Sequence, residues 1–477
     1  MIFNKFPKTF WVANVIELFE RWAWYGMYIV LALYLTGSTD TGALGFSQQQ
    51  KGTMMGVVTA ILYLLPILTG AIADKIGFKK VLIASLIMMS SGYLLISQFT
   101  SYAGFFISFL YLGIGASLFK PIIGATITKT TTKETSSIGF GIFYMLVNIG
   151  SFIGPIFSSK LREHGWHYVF WMSSAAIILN IILTVFFFKV PEQKKNTDSL
   201  TKSLNTIFLN IYTVLKDLKF AFFLLLITCF WAMYNQLFYT LPIFIDQWVN
   251  TEMIYSWLNN ISPLLAENIG TAEKNIAPEM ITNIDALYII LFQIIISAFV
   301  MRFRPVSAMT IGILTATIGL SLTFFSNNGF ILLGFILVFA IGEMASSPKI
   351  IEYIGKIAPP DKTALYIGTS YLPMAGGNLL AGYLSGNVYS KMSDKISILK
   401  IEFASRGIAV PEINQNFTNN DLIKKAYDVL NMNKLQLNTY LWDKYNPSYI
   451  WVVIASIGLF SVIGLLFYDF VLLKKKY

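Results

Sequence analysis

The stretch of sequence that decides the fold is the first apolar segment, residues 10–35, which reads FWVANVIELFERWAWYGMYIVLALYL. A helix needs about 20 mostly apolar residues to cross the hydrocarbon core of a membrane, and this segment is long enough. Glu17, Glu20 and Arg21 interrupt it, so it does not fit the apolar core of a signal peptide. The segment predicts a membrane-spanning helix that carries three charged side chains.

The composition of the whole chain indicates the same class of protein. Of the 477 residues, 55% are hydrophobic and 13% charged, whereas a soluble domain carries about 25% charged residues. The single cysteine, Cys229, excludes a disulfide scaffold, and His164 and His167 are too few for a metal centre. The net charge of +10 comes from lysines at the ends of apolar segments rather than on a basic stripe, so nucleic acid is not an expected partner. A polytopic membrane protein is the class that remains.

Eleven further apolar segments follow the first one, and all are too long for the roughly 10 residues of a membrane strand. They lie near residues 54–72, 79–97, 103–127, 138–159, 166–188, 220–245, 284–301, 306–325, 330–355, 364–387 and 449–472. The pattern predicts about twelve transmembrane helices in two six-helix bundles, 1–188 and 220–477, joined by a cytoplasmic linker at 189–219. Two polar insertions, near 246–283 and 387–447, are expected on the outer side. We expect a short amphipathic helix around 251–265 and a capped helix at 420–430.

The distribution of lysine and arginine predicts the orientation of the helices. These residues are dense around 75–80, 129–133, 189–219, 302–304, 356–362 and 474–476. The short loops on the other side and the connection between helices 7 and 8 hold only Lys51, Lys160, Arg162 and Lys274. We therefore expect both termini in the cytoplasm and a location in the plasma membrane, as in a bacterial inner membrane.

Six polar or aromatic side chains share one face of the first predicted helix. They follow the spacing i, i+3, i+4, i+7, i+8, i+11 and are Glu17, Glu20, Arg21, Trp24, Tyr25 and Tyr28. An ionised side chain at the centre of a membrane costs about 2.5–3.5 kcal/mol on insertion scales, so this face is expected to line the protein interior or a water-filled cavity. The alternative is that Glu20 and Arg21 only hold neighbouring helices together.

Two more ionisable residues lie inside predicted helices. Lys120 precedes Pro121 in the fourth helix, and its charge requires an acidic partner, for which Glu17 and Glu20 are the candidates. Glu343 precedes Pro348 in the tenth helix. A buried ionisable group and a helix broken at proline in each half predict a site between the two bundles, although ordinary kinks are the alternative. Several softer positions are either ligand contacts or interhelical contacts: Tyr63, Tyr144, Asn148, Asn235 and Asn378.

These residues fall in recognisable motifs. Residues 17–26, ELFERWAWYG, resemble the ExxER(F/W)xxYG signature on the first helix of proton-coupled oligopeptide transporters. Residues 70–80, GAIADKIGFKK, resemble the helix 2–3 loop motif of the wider major facilitator superfamily. Four further matches, to the family's motifs on helices 4, 5, 10 and 11, are Lys120-Pro121, FYMLVNIGS at 143–151, GEMASSP at 342–348 and AGGNLLAG at 375–382. The matches run from residue 17 to about 386 and leave the two insertions outside.

The resemblance implies a major facilitator fold and uptake of di- and tripeptides together with protons. By family resemblance, Lys120 and Tyr25 would face the peptide carboxylate, and Glu343 with Asn148 its amine or backbone. Glu20 would carry the proton, with Glu17 as the alternate and Arg21 and Lys120 as their charged neighbours. The remaining expected substrate contacts are Tyr28, Tyr63, Tyr144, Asn235, Asp285, Tyr371 and Asn378. Asp74 would act in gating, in the tight loop that Gly77 permits, although a simple positive-inside loop is the alternative.

Three positions depart from the family pattern. Many bacterial members carry arginine where this chain has Tyr28 and glutamate where it has Asn235. Both members of a plausible ion pair are therefore absent from this chain. Asp285 stands where the family usually has an amide. Compared with those family members, the cavity is expected to contain one cation fewer and one anion more, which predicts a preference for neutral or cationic peptides over acidic ones. Alternatively, Asp285 caps helix 8 at the outer water interface and never meets substrate.

Three other functions compete with peptide transport. A transporter of another small anion or a peptide-like compound, as in other branches of the family, would use the same fold. An integral-membrane enzyme would need a nucleophile–base pair or a metal cluster, and the sequence contains neither pattern, so the chain is not expected to be an enzyme. A ligand-operated channel would conduct without fixed stoichiometry. The expected partners are di- and tripeptides, protons and the lipid bilayer, with no further cofactor, and we expect a monomer.

Overall fold

The protein is described here from a computed structural model that covers residues 6–132, 134–190, 211–359 and 363–473 and the single positions 205 and 209. Within these residues the secondary structure is helical, apart from two isolated β-bridges, Asn250–Asn328 and Gly270–Ile276. The prediction of an all-α fold is therefore confirmed. Most of the predicted linker at 189–219, and the lysines at 474–476, lie outside the described residues.

Seven helices form the first half of the chain. They are α1 Lys8–Thr36, α2 Gln48–Leu64, α3 Pro66–Ile76, α4 Phe78–Gln98, α5 Tyr102–Lys129, α6 Ser136–His164 and α7 Trp166–Phe186. Local sequence signals set several of the ends. Ser47 and Gln50 form a capping box at the start of α2, and Ser101 caps α5. Gly77 and Gly165 join consecutive helices with positive φ angles of 105° and 148°, which only glycine adopts without strain.

The second half contains more and shorter helices. They are α8 Leu218–Tyr234, α9 Leu241–Trp248, α10 Glu252–Ile261, α11 Pro263–Ile269, α12 Pro278–Val300, α13 Pro305–Ser321, α14 Gly329–Ile357, α15 Thr363–Thr369, α16 Tyr371–Tyr383, α17 Lys395–Ser405, α18 Asn419–Leu430, α19 Lys434–Tyr445 and α20 Tyr449–Phe467. A short helical turn, Gln236–Tyr239, lies between α8 and α9, and a π-helical turn, Leu384–Val388, follows α16.

Nine helices of the described chain are long and apolar enough to span a membrane, and a tenth span is formed if α2 and α3, which meet at 45°, count as one. Helix α1 is 29 residues long but carries three charges within its apolar stretch, and the α15–α16 run is interrupted at Ser370. These two segments complete the predicted set of about twelve passes, so the polytopic architecture is confirmed.

The predicted breaks at Pro121 and Pro348 are wrong, because α5 and α14 continue through these residues. A proline inside a helix leaves the carbonyl four residues earlier without its donor. For Pro121 that carbonyl belongs to Ser117, and the Thr69 hydroxyl on α3 donates to it at 3.0 Å. The neighbouring helix thus replaces the missing bond, as is common in membrane proteins. The actual breaks lie at Leu65–Pro66, in 235–240 and at Ser370.

The two halves touch on one side of the molecule and diverge on the other. We call the side that carries residues 249–277 and 393–448 the insertion side, and the opposite side, where α1 begins and the chain leaves α20, the terminal side. On the insertion side, α2 packs directly on α16, and a Cβ at Gly52 would lie 2.2 Å from the Gly382 carbonyl oxygen. Towards the terminal side, a Cβ would meet no atom within 4 Å at the following glycines: Gly124, Gly141, Gly355 and Gly368. The ion pair of Arg162 on α6 with Glu279 on α12 also joins the halves at the insertion side, so the contacts between the halves are concentrated there and the cleft is wider towards the terminal side.

The two insertions fold on the insertion side. The amphipathic helix expected at 251–265 is two helices, α10 and α11, because Ser262 and Pro263 interrupt it. The capped helix expected at 420–430 is confirmed as α18, which starts with a capping box of Thr418 and Asp421. The Asn420 side chain on this helix donates to Asp40 of the first half at 2.9 Å. The second insertion thus connects the two halves on this side.

A buried carboxylate joins two helices of the second insertion. Glu402 on α17 is fully buried, and four side chains donate hydrogen bonds to it: Arg406, Tyr440, Lys444 and Tyr445. Burial alone opposes ionisation, but these four donors outweigh it and lower the pKa of Glu402 to about 2. The carboxylate is ionised at neutral pH and connects α17 to α19.

Candidate functional site

The charged face of α1 points into the protein, as its spacing predicts. Glu17, Glu20 and Arg21 are 7%, 1% and 9% exposed. Arg21 Nε lies 3.1 Å from Glu17 Oε1 and donates to Glu20 Oε2 at 2.5 Å. The guanidinium therefore holds both carboxylates, and no charge of this face meets lipid.

Lys120 on α5 completes this cluster without forming the ion pair that its burial led us to expect. Its ammonium lies 4.0 Å from the centre of the Tyr63 ring on α2, in a cation–π contact. Glu17 and Glu20 act on it electrostatically, but within the described chain their ion pairs are with Arg21. We call Glu17, Glu20, Arg21 and Lys120 the helix 1 cluster. Its two anions and two cations cancel.

A cavity of about 140 Å³ lies between the two halves. The first half lines it with Trp24, Tyr25, Tyr28, Thr59 and Tyr63. The second half lines it with Trp231, Tyr234, Asn235, Phe238, Met374 and Asn378. Five of the predicted substrate contacts are thus brought together around one cavity: Tyr25, Tyr28, Tyr63, Asn235 and Asn378. The wall is mostly aromatic, with amide and hydroxyl groups at intervals, which suits a small organic solute.

Some polar side chains in this wall are already bonded within the protein. The Tyr28 hydroxyl lies 3.2 Å from the Thr59 hydroxyl. The Asn235 amide donates to the Trp231 carbonyl on the preceding helix, α8, at 2.8 Å. The Tyr239 hydroxyl lies 3.0 Å from Asn378 Oδ1, so this amide also holds the break after α8 against α16. These groups therefore shape the cavity as well as facing it.

Glu343 and Asp285 meet behind the wall of the second half. The Tyr234 hydroxyl, which lines the cavity, donates to Glu343 Oε1 at 2.8 Å. The side chains of Asp285 on α12 and Glu343 on α14 are in hydrogen-bond contact with each other. Asp285 is 5% exposed and lies inside α12, so the alternative that it caps this helix at the water interface is wrong. We call these two residues the carboxyl pair.

The remaining predicted residues lie outside this cavity. Tyr144 is 43% exposed, and its hydroxyl lies 3.5 Å from Gln293 Oε1 across the cleft. The Asn148 amide donates to the Tyr144 carbonyl on its own helix at 2.8 Å. Tyr371 is half-buried at the start of α16, and Asp74 is exposed near the end of α3. The structure does not bring these four residues to the cavity wall.

The sequence analysis missed the aromatic residues of α8 and the turn after it. Trp231, Tyr234 and Phe238 follow the spacing i, i+3, i+7 and line the cavity opposite α1. Phe238 contacts both Tyr25 and Tyr28, with ring centres 6.1 and 5.9 Å apart. The same helical spacing that marked α1 could have identified them, but they carry no charge and so resemble ordinary packing residues.

Comparison with known proteins decides the family. A family model described as Major Facilitator Superfamily matches residues 13–266, which include the helix 1 cluster and the first half of the cavity wall. The chain belongs to the major facilitator superfamily. It is a multi-pass membrane protein, and its two-sided central cavity is a feature of such folds.

Several curated relatives of this superfamily member carry the names of peptide transporters. It is 30% identical over 174 residues to "Peptide transporter YePEPT" of Yersinia enterocolitica, across 35% of this chain and 34% of that protein. It is 30% identical over 183 residues to "Dipeptide and tripeptide permease A" of Escherichia coli, across 37% of this chain and 36% of that protein. Each match spans about a third of the relative's length. The names confirm the resemblance that the motifs carry.

Solved structures agree with the fold over the full chain. A POT family transporter in complex with 5-aminolevulinic acid superposes with a TM-score of 0.72 at 17% identity, covering 98% of this chain and 99% of that one. A POT family transporter in complex with a thioalcohol-conjugated peptide gives the same score, identity and coverage. At this identity the likeness shows the fold.

Proposed function

We propose that this protein imports di- and tripeptides together with protons, and that the peptide binds between the two halves. The observation that carries the proposal is the arrangement of charge around the cavity. The helix 1 cluster contains two cations whose charge is cancelled by Glu17 and Glu20 until one of these carboxylates is protonated, and the carboxyl pair on the other side contains only acidic groups. A zwitterionic peptide carries the complementary charges at its two ends.

The peptide carboxylate would face Lys120 and Tyr25, and the peptide amine would face Glu343. Tyr63 supports this placement, because its ring lies under the Lys120 ammonium and also lines the cavity. Tyr234 supports the other end, because it connects the cavity wall to Glu343. The aromatic wall between them contacts side chains without selecting one shape, since rings accept many apolar groups.

Proton coupling would reside in the helix 1 cluster. Glu20 is our first choice for the carrier and Glu17 the alternate, because both carboxylates are held by Arg21 and both act on Lys120. Protonation of one carboxylate leaves the cluster with a net positive charge. That charge is available to a substrate carboxylate, so proton and peptide bind together.

Transport would proceed by movement of two bundles, residues 1–188 and 220–477, about the cavity. With the lysine-rich ends in the cytoplasm of a bacterial cell, the terminal side is the inner side and the described conformation is open inwards. The insertion-side contact of α2 with α16 would then part to admit substrate. Asp74, beside the α3–α4 turn, would act in this movement. The proposal needs no cofactor besides the proton, no catalytic step and no second copy of the chain.

Uptake into proteoliposomes tests this function. Purified protein is reconstituted, a proton gradient is imposed, and accumulation of a labelled dipeptide is measured with wild type and Lys120→Ala. We expect accumulation above equilibrium in wild type and none in the variant. If a proton gradient drives uptake of another small anion or a peptide-like compound but not of the dipeptide, the protein is a transporter of that compound instead. Current flow without fixed stoichiometry would indicate a channel.

A further inference from the structure

We propose that Asp285 and Glu343 share one proton while the cavity is empty, and that the amine of a bound substrate displaces it. The inference rests on the proposed function for the identity of the substrate, but the shared proton itself does not. It adds a second proton-binding site to the protein, on the side of the cavity opposite the helix 1 cluster.

The contact between the two carboxyl groups requires a donor. Glu343 Oε1 accepts from the Tyr234 hydroxyl, but Glu343 Oε2 and Asp285 Oδ1 are buried and accept no hydrogen bond from any N–H or O–H donor among the described residues. An ionised carboxylate can only accept, so two ionised groups in contact would repel each other. One proton between them supplies the missing donor and removes one of the two charges, as in other paired carboxyl groups.

Among the residues that the structure describes, the surroundings of the pair offer no cation that could replace this proton. The ionisable groups that face it from the described helices are phenols: Tyr234 on α8, Tyr144 on α6 and Tyr25 on α1. Helix α13, which packs along α14, contains no ionisable residue. Arg21 is held by Glu17 and Glu20, so it is committed to the helix 1 cluster.

A protonated amine can take the place of the shared proton. The singly charged pair and an ammonium group combine to give a doubly charged pair in contact with the ammonium, and one proton leaves to solvent. The ammonium brings three donors, whereas the proton satisfies one contact. Binding of a peptide with a free amine should therefore release a proton, and a peptide with a blocked amine should not.

Isothermal titration calorimetry of the purified full-length protein measures this release. Ala-Ala is titrated at one pH in two buffers that differ in ionisation enthalpy, and the difference in heat gives the number of protons exchanged. N-acetyl-Ala-Ala is the ligand control. Asp285→Asn is the test variant, because the asparagine NH2 group can donate a hydrogen bond to Glu343 and holds no proton that titrates. Glu352→Gln is the matched control, because Glu352 lies on the same helix as Glu343 but forms ion pairs with Lys349 and Lys356 instead of facing another carboxyl group.

We expect wild type and Glu352→Gln to release about one proton more than Asp285→Asn when Ala-Ala binds, with no such difference for the acetylated peptide. Any proton exchange at the helix 1 cluster is common to all three proteins and cancels in the comparison. Equal proton counts in wild type and Asp285→Asn would overturn the proposal, as would equal release with the blocked peptide.

Infrared spectroscopy of the ligand-free protein separates this inference from the proposed function. The carbonyl stretch of a protonated carboxyl group should be present in wild type and reduced in Asp285→Asn, whether or not peptides bind. If no peptide gives binding heat but this band changes as expected, the proposed substrate is wrong and the shared proton stands. An unchanged band in the variant would overturn the shared proton.

Discussion

The helix 1 cluster and the carboxyl pair each bury two carboxyl groups beside the cavity, but they differ in what balances them. Arg21 contacts both Glu17 and Glu20, and Lys120 lies near enough to act on both. In the part of the chain that the structure describes, the hydrogen-bonding neighbours of Asp285 and Glu343 are each other and the Tyr234 hydroxyl. The first cluster is neutral without any ligand, whereas the second needs a cation from outside, either a proton or an amine. Buried carboxyl groups can thus either form a neutral cluster with cations of the protein or bind a cation from outside, depending on their neighbours.

The comparison also shows that the two sides of the cavity differ in charge. The cations of the whole arrangement belong to the first half of the chain, and the uncompensated anions belong to the second. A zwitterionic peptide placed between them is favoured in one orientation and opposed in the other. The following predictions test this difference, starting with the largest effect.

Removing a charge from the helix 1 cluster should abolish gradient-driven accumulation. Glu20→Gln leaves the cluster with a net positive charge and no protonatable group at this position, and Lys120→Ala leaves it net negative. We expect no accumulation of a labelled dipeptide in either variant in proteoliposomes. Counterflow, which needs no net proton movement, should persist in Glu20→Gln. Glu352→Gln serves as the control, and full accumulation in both test variants would contradict the mechanism.

Removing a charge from the carboxyl pair should change selectivity rather than abolish transport. Asp285→Asn lowers the negative charge behind Tyr234, so the preference for Ala-Lys over Ala-Asp should fall by about 5- to 10-fold, equivalent to about 1–1.4 kcal/mol. Competition assays with Ala-Lys, Ala-Ala and Ala-Asp on wild type and variant measure this. If all three peptides inhibit the wild type equally, the anionic side of the cavity does not select substrate.

A substitution at Asp74 tests the movement of the bundles without changing the binding chemistry of the two clusters. It is exposed on α3, away from the cavity wall, so Asp74→Asn leaves both clusters intact. We expect turnover to fall by roughly tenfold, about 1.4 kcal/mol on the barrier, with a smaller change in substrate affinity. Transport rates and binding affinity measured on the same preparation test this. A change in affinity alone would assign Asp74 to binding instead.

Glu402 provides a third site with a buried carboxylate for comparison, which lies outside the membrane and accepts hydrogen bonds from four side chains. Its pKa is lowered to about 2. A lowered pKa contributes stability above the ordinary value for glutamate, about pH 4.3, and this contribution is lost as the pH falls towards 2. Limited proteolysis of residues 393–448 should therefore accelerate as the pH falls below about 4.3. Peptide uptake at neutral pH should be unaffected, because Glu402 is ionised at that pH and still connects α17 to α19. In Glu402→Gln, proteolysis should already be faster at neutral pH.

The second half shows where sequence-based prediction of the site succeeded and where it failed. Glu343 was identified because a charge inside an apolar segment is visible from local sequence alone. Its contact with Asp285 was not predicted, because these residues lie on different helices and nothing local relates them. Tyr234 was missed for a different reason: an uncharged aromatic residue in an apolar helix looks the same whether it lines a cavity or fills a core.

Lys51 shows a similar limit. The positive-inside count placed it in a short outer loop, but it lies in α2 and is fully buried. Its ammonium donates to the carbonyl oxygens of Tyr239 and Ser385 at 2.9 and 3.0 Å. Both carbonyls belong to places where helices of the second half depart from regular α geometry. Such acceptors become available only after the helices have packed, so the sequence around Lys51 could not indicate them.

What the sequence by itself determined is what depends on short-range properties. Hydrophobicity determined which segments cross the membrane, helical periodicity determined which side chains of α1 share a face, and capping residues determined where α18 begins. The tertiary structure alone decided which helices break, which carboxyl groups meet and which of them keep a counter-charge. Thr69 lets α5 continue through Pro121, Arg21 neutralises the first half of the cavity, and Asp285 meets Glu343 without a cation. These outcomes depend on contacts between distant segments, because a buried polar group is stable only with partners that the fold brings to it.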